Sequence, residues 1–541
     1  MFLITNKSDA SQAFQFLIKE MGLQAAVYDF HLYDHTFLMW ASLKPSDNLT
    51  MYANGFVVGR DGFDQPHSTQ PYDKKGELLP DDINPLLNSL VVRRTGEGFE
   101  VKPVEQASVY YSKTSVSDFT LLISLVDNLE PSLNGVGMLL AAGYFLGNAT
   151  LFEGIRRVCY LRALSLPEFS EVKVSEWEIG KSNDQAMMQR FVDVIPPKAK
   201  TAISLSSGMD SRFVLGLMLR KNHVPKAYSL DGYESDLIQQ LCNKLNMTLE
   251  QNMLPRMDSY SYAIRTDARI YDRGGNYHRM IGDVMCDEFI FNGLCAEPAL
   301  KNTYKAVWKN PISLFQDVHN RIIEVVYLGY LRKEIDGFLL NRSQLKQYLT
   351  QELSFMRNET HLRKAYQITR LYDHYNSSIN WAQAHTADLS FLRYPVFLLA
   401  NKGGVELGIS SPLLANFNYD RLRIMNQQLY PQLNLDYSDG RKFLKKRPVF
   451  NGLYLVYKEF VKAPQAYLKF RKKKMKHSPG NVNSEVAEPE CAADFCHYFD
   501  RKLDLLLKAP VLTNVKRSAI TLNNVLLFQE KYKASKASAG C

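Results

Sequence analysis

Nineteen residues constrain this chain more than any other stretch: Thr201-Ala-Ile-Ser-Leu-Ser-Ser-Gly-Met-Asp-Ser-Arg-Phe-Val-Leu-Gly-Leu-Met-Leu219. They predict a short buried strand (Ala202, Ile203, Leu205), a turn at Ser206-Ser207-Gly208 and an apolar helix (Phe213, Val214, Leu215, Leu217, Met218). A strand, a small-residue turn and a helix N-terminus together make an anion site. The free N–H groups of the first helical turn and the positive end of the helix dipole converge on one point. Ser206, Ser207 and Ser211 add hydroxyl donors, Gly208 lets the backbone close on a phosphate, and Asp210 can hold Mg²⁺. No Gly-Lys-Ser/Thr follows at the Walker spacing, so this is not a P-loop. The plain alternative is an N-capped helix after a strand, with no ligand.

The segments that follow extend the pattern. Residues 227–230 read as the next parallel strand, 235–245 as a helix and 288–292 as a third strand. This strand–helix–strand order belongs to an open α/β sheet, which binds ligands beyond the C-terminal ends of its strands. A ligand would then lie near Leu205 and the exit loop carrying Ser229, Asp231 and Gly232. Residues 305–435 read as mostly helical (312–330, 341–356, 361–387), and 503–507 and 520–532 as closing helices before a small polar tail at 534–541.

Upstream, residues 1–165 read as β-rich. Aromatic and branched runs at 25–30, 36–40, 55–58 and 108–111 are separated by polar turns. An apolar helix at 135–144 leads into Leu146-Gly-Asn-Ala-Thr-Leu-Phe-Glu-Gly-Ile-Arg-Arg157. A helix at 183–194 follows, and Pro196-Pro197 ends it ahead of the core strand. At 541 residues, 46% hydrophobic, the chain needs two or more domains and excludes a disordered class.

Leu205-Ser206-Ser207-Gly208-Met209-Asp210-Ser211 resembles the Ser-Gly-Gly-x-Asp-Ser pyrophosphate loop of ATP pyrophosphatases, with Ser207 in place of the first glycine. The run at 146–157 resembles the segment that closes the N-terminal domain of asparagine synthetase-like proteins, and it stands in the right order. The resemblance implies an N-terminal Ntn-hydrolase-like αββα sandwich over 1–165. It implies a parallel-sheet ATP pyrophosphatase (PP-loop, adenine nucleotide α-hydrolase-like) domain with a helical cover over 166–541. It further implies ATP and Mg²⁺ as cofactors, with adenylation of a carboxylate substrate, release of pyrophosphate and attack by ammonia or an amine. Ser206, Ser207, Gly208 and Ser211 would clamp pyrophosphate.

Asn292-Gly293-Leu294-Cys295-Ala296-Glu297 occupies the place of the family's Ser-Gly-Glu-Gly-Ala-Asp. Gly293 and Ala296 match it in kind, and Glu297 would share Mg²⁺ with Asp210. Leu294 stands where family members carry a proton-moving Glu or Tyr, a task that leucine cannot perform. Lys442 and Lys445 are the candidates for the lysine that stabilises the acyl-adenylate transition state. The stretch at 404–414 is similar to the family's Glu-x-Arg-x-Pro-Phe-Leu segment, but lacks the arginine and has two extra residues. Family glutaminases use a cysteine as residue 2, where this chain has Phe2, so the resemblance carries the fold without glutaminase chemistry.

Three further readings stay open beside a ligase of surface-polysaccharide or natural-product biosynthesis. One is a nucleotide-binding homologue without catalysis, suggested by Leu294. Another is a tRNA-modifying pyrophosphate-loop enzyme, disfavoured by the absence of CxxC pairs. The third is zinc at Cys491, Cys496 and His497, which lack a second ligand pair. Residues 441–476 hold 13 Lys/Arg against one acid, Glu459. That local +12 against a total of +9 leaves about −3 elsewhere, and marks a solvated face or a site for an anionic partner. Seven scattered cysteines and no visible secretory signal predict reduced thiols and a cytoplasmic location. The apolar run at 137–146 is too short to span a bilayer.

Overall fold

Apart from single positions and short gaps, the computed structural model describes residues 1–59, 72–79, 88–135, 145–173, 184–195, 201–230, 235–252, 289–300, 342–354, 365–374, 394–410, 420–433 and 513–539, with Tyr260, Ile264, Ile323 and Leu362. The fold is mixed α/β, with two largely antiparallel sheets followed by one parallel sheet.

The first sheet has six strands, in the order Arg156–Arg157, Tyr110–Tyr111, Ser115–Ser117, Phe2–Thr5, Thr36–Ala41 and Val27–Tyr33. The second has seven: Ser170–Lys173, Arg162–Leu166, Phe99–Pro103, Asn88–Arg94, Gly55–Gly59, Asn48–Tyr52 and Tyr72–Lys74. Only its last pair is parallel. Strand alternation explains how the sheets stack. Phe2, Ile4, Leu38 and Trp40 meet Phe56, Val58, Leu90 and Val92 in one shared core. Their neighbours Leu3, Met39 and Ala41 face the other way, into a helix layer.

Helix Ala10–Glu20 supplies that layer with Ala10, Ala13, Phe14, Leu17 and Ile18, an i, i+3, i+4, i+7, i+8 stripe. The expected boundary at 165 falls inside Arg162–Leu166, and the sheet gains one more strand before ending at Lys173. Most of the expected 135–144 helix lies outside the described residues.

The parallel sheet runs Leu249–Asn252, Lys226–Leu230, Thr201–Ser204, Phe289–Phe291, Tyr394–Val396. Its centre is continuously apolar because helices cover it: Ile203, Leu205, Phe289 and Phe291 pack with Phe213, Leu217, Ile238, Met425 and Leu429. From Thr201–Ser204 the chain steps outward twice on one side, through helices Met209–Arg220 and Ser235–Lys244. It then returns to lay Phe289–Phe291 on the other side of Thr201–Ser204. That reversal is a topological switch point, where open α/β sheets leave a crevice at their strand ends.

Helix Asp420–Leu429 closes over Met209–Arg220. It packs so tightly that a Cβ on Gly216 would sit 3.1 Å from Leu433 and 3.2 Å from Leu429. The 404–414 stretch contributes helix Lys402–Ser410, whose last carbonyls receive N–H donors from Arg370, Arg421 and Gln367. Cations at a helix C-terminus complement its dipole.

The last helix, Thr513–Ala539, differs from expectation: 534–539 continue it instead of forming a tail. Alanine and lysine are strong helix formers, so nothing in Lys533-Ala-Ser-Lys-Ala-Ser-Ala539 stops propagation. This helix docks on the N-terminal helix layer, with the Phe528 and Tyr532 rings tilted against Phe16 at 5.7 and 5.4 Å.

Candidate functional site

The crevice at the switch point is framed by two loops. The first, Ser206-Ser207-Gly208, leaves Thr201–Ser204; the second, Asn292-Gly293-Leu294, leaves Phe289–Phe291. Leu205 continues the register, donating its N–H to Tyr228 O at 2.8 Å, and this brings Ser229 to the same edge of the sheet.

Ser211 holds the first loop in shape. Its hydroxyl accepts the Ser206 N–H at 3.2 Å and lies 3.0 Å from Ser206 O, 3.1 Å from Ser206 Oγ and 3.3 Å from Gly208 O. Ser206 Oγ in turn accepts the Gly208 N–H at 3.2 Å. Ser211 thus acts first as a staple, a role beyond the ligand contact expected from sequence. Ser207 is fully buried, so its bulk fills the turn, while Ser206, Gly208 and Asp210 are partly exposed at the crevice.

Helix Met209–Arg220 begins at Gly208 (φ −72°, ψ 162°) with no side-chain cap on its N-terminus. Glycine there is not required by backbone strain, since any residue adopts those angles. A Cβ on Gly208 would meet only Ser206 Oγ, at 3.1 Å. Among the described residues nothing else lies within 4 Å of that Cβ, and the dipole points its positive end there. The rear of the turn is fixed: Asn426 Nδ2 donates to Met209 O at 3.1 Å, and the buried Arg212 donates to Leu433 O at 3.3 Å.

The second loop touches the first directly. A Cβ on Gly293 would lie 2.5 Å from both Asp210 C and Ser211 N, so only glycine fits against that helical turn. Asn292 is anchored from both sides: its N–H reaches Val396 O at 3.3 Å, and its Oδ1 accepts the Leu294 N–H at 3.0 Å. Leu294 turns partly into the core.

The structure therefore gathers Leu205, Ser206, Ser207, Gly208, Asp210, Ser211, Ser229 and Gly293 at one sheet edge. Asp231, Gly232, Glu297, Lys442, Lys445 and the Cys491/Cys496/His497 cluster lie outside the described residues. Arg212, Asn292 and Asn426 were not candidates. The sequence signal for Asn292 was its departure from serine; Arg212 and Asn426 gave none, because their partners are distant in sequence.

Among the described residues, no group of three or more His, Cys, Asp or Glu could hold a metal alone. That is compatible with Mg²⁺, which takes one or two carboxylates and completes its shell with water and phosphate oxygens. Asp210 fits this need: a carboxylate in the first turn would repel a phosphate at the helix start unless a cation lay between them. Cys242 is buried, and burial pushes its thiol up to about 11. No helix of the described residues is long and apolar enough to cross a membrane. No family model matches the chain, and no curated protein does.

Proposed function

We propose that the protein is an asparagine synthetase-like, ATP-dependent ligase that adenylates a carboxylate and passes the acyl group to ammonia or an amine. In this reading the two antiparallel sheets are an Ntn-hydrolase-like sandwich, and the parallel sheet is a PP-loop domain. The observation that carries it is the uncapped helix start at Gly208, set at the switch point and abutted by Gly293. Backbone N–H groups and the Ser206 hydroxyl bind the pyrophosphate portion of ATP, and the stapled turn keeps them fixed as charge develops. Asp210, with Glu297, would hold Mg²⁺, which supplies charge neutralisation between the phosphates. In this reading Ser229, Asp231 and Gly232 would hold the adenosine, and Lys442 or Lys445 would supply the positive charge for the adenylate.

Leu294 favours a second reading, a nucleotide-binding homologue without the acyl-transfer half-reaction. Its side chain packs against the core and offers no proton. Both readings are tested by incubating the protein with MgATP and a panel of carboxylates. AMP and pyrophosphate formation supports the ligase. MgATP binding without turnover supports the homologue, and ADP with orthophosphate contradicts the ligase reading.

A further inference from the structure

One edge of the first sheet is unlike the other sheet edges. Among the described residues the other outer strands are short: two residues at Arg156–Arg157, four at Ser170–Lys173, three at Tyr72–Lys74, four at Leu249–Asn252 and three at Tyr394–Val396. Val27–Tyr33 is also an outer strand, and it has seven. Short edges, prolines and bulges guard a sheet against pairing with another chain. This strand contains no proline, and its one irregularity lies at its end, between His31 and Tyr33.

The neighbouring strands fix its orientation. Ala41 exchanges both main-chain hydrogen bonds with Met1, at 3.1 and 3.0 Å. Alternation then turns the main chain of Trp40 and Leu38 toward Val27–Tyr33, where they meet Tyr28 and Phe30. The main-chain groups of Val27, Asp29 and His31 therefore point to the outer edge. Side chains alternate too. Tyr28, Phe30 and Leu32 are half-buried against the core between the sheets, whereas Asp29 and His31 are exposed on the other face.

We propose that Val27–Tyr33 pairs antiparallel with the same strand of a second copy of this chain, joining two six-stranded sheets across a two-fold axis. The axis stands perpendicular to the sheet, so equivalent faces of the two copies stay on one side. A register centred on Phe30 overlaps the whole strand. It sets Asp29 opposite the partner's His31, and His31 opposite the partner's Asp29. On the core face it sets Phe30 beside the partner's Phe30, and Tyr28 beside the partner's Leu32. Moving the axis by one residue either way would set Asp29, or His31, against its own copy. Aromatic pairs and a carboxylate facing an imidazole favour a strand pair, while like charges directly opposite oppose it. The dimer is independent of what the crevice binds.

The test is sedimentation equilibrium of the full chain over a concentration series. The native chain is expected to form a closed dimer as concentration rises. His31→Asp places two pairs of facing carboxylates across the axis and should weaken dimerisation roughly 10- to 100-fold. Asp29→Lys combined with His31→Asp exchanges the two charges and should restore the dimer. Both side chains are exposed, so the melting temperature of the dilute protein should change little in either variant. A native chain that stays monomeric overturns the proposal, as does a dimer that His31→Asp leaves intact. A double variant that folds normally yet stays dissociated overturns it as well, because the paired charges define the register.

Discussion

The substitution Gly293→Ala tests the arrangement of the two loops most directly. The added Cβ would stand 2.5 Å from Asp210 C and Ser211 N and 2.8 Å from Asp210 O, all of them backbone atoms. Ordinary contact begins at 3.4 Å, so the two chains must part by about 0.9 Å, the difference between these distances. No flexible side-chain end can absorb it. Overpacking of this kind costs about 1–3 kcal/mol. A displacement of about 1 Å at the helix start is also enough to lower turnover roughly 10²-fold. Gly293→Ala should therefore lower both the melting temperature and MgATP binding. Gly208→Ala is the matched contrast: among the described residues its Cβ meets only Ser206 Oγ, at 3.1 Å. Its N-cap cost is about 1 kcal/mol or less, but the methyl group occupies the space kept for phosphate. It should keep most of the stability and lose the MgATP-induced thermal shift, about 2.7 kcal/mol of stabilisation at 100 times Kd in the native protein. If Gly293→Ala melts with the native midpoint and binds MgATP with native affinity, the close approach of the two loops is refuted.

Three other outcomes are expected. Burial lowers the His374 imidazole from 6.5 to about 4, with the Ala400 backbone opposing the shift. The folded state thus resists protonation: its stability is full above pH 6.5 and falls as pH drops toward 4. The loss between pH 7.5 and 5 is about 2 kcal/mol, visible in urea midpoints and absent in His374→Leu. Phe528 is fully buried beside Phe16, so Phe528→Ala should cost about 3–5 kcal/mol, and limited proteolysis should then release the C-terminal helix. Phe2 lies in the core between the sheets and carries no thiol, so incubation with glutamine, with or without MgATP, should release no glutamate; sustained release would refute the expectation that the N-terminal sheets carry no glutaminase chemistry.

Much of the candidate site was legible because its physics is local. Thr201–Ser204, the turn and helix Met209–Arg220 follow from adjacent apolar runs and one cluster of small polar residues. The strands near Thr36, Gly55 and Lys226 were legible for the same reason: branched and aromatic residues bounded by turns. Helix Ala10–Glu20 interrupts the β-rich N-terminal region, and its spaced apolar stripe is the only local signal of it. The C-terminal helix runs on through a polar segment that predicts a tail, because small residues and lysines extend a helix readily.

The sequence by itself determined the strand–turn–helix, the alternation that builds two stacked sheets, and the glycine and serine content of the turn. Tertiary structure alone decided that Phe289–Phe291 lies beside Thr201–Ser204, which sets Gly293 against Ser211 across some eighty residues of intervening chain. It also decided that Ser211 staples the loop, that Asn426 braces it from the helix behind while Arg212 reaches back to Leu433 O, and that one amide donor on Asn292 is left over. The reason is physical: periodicity and propensity act over a few residues, whereas strand order and the satisfaction of buried polar groups depend on which distant segments share a core.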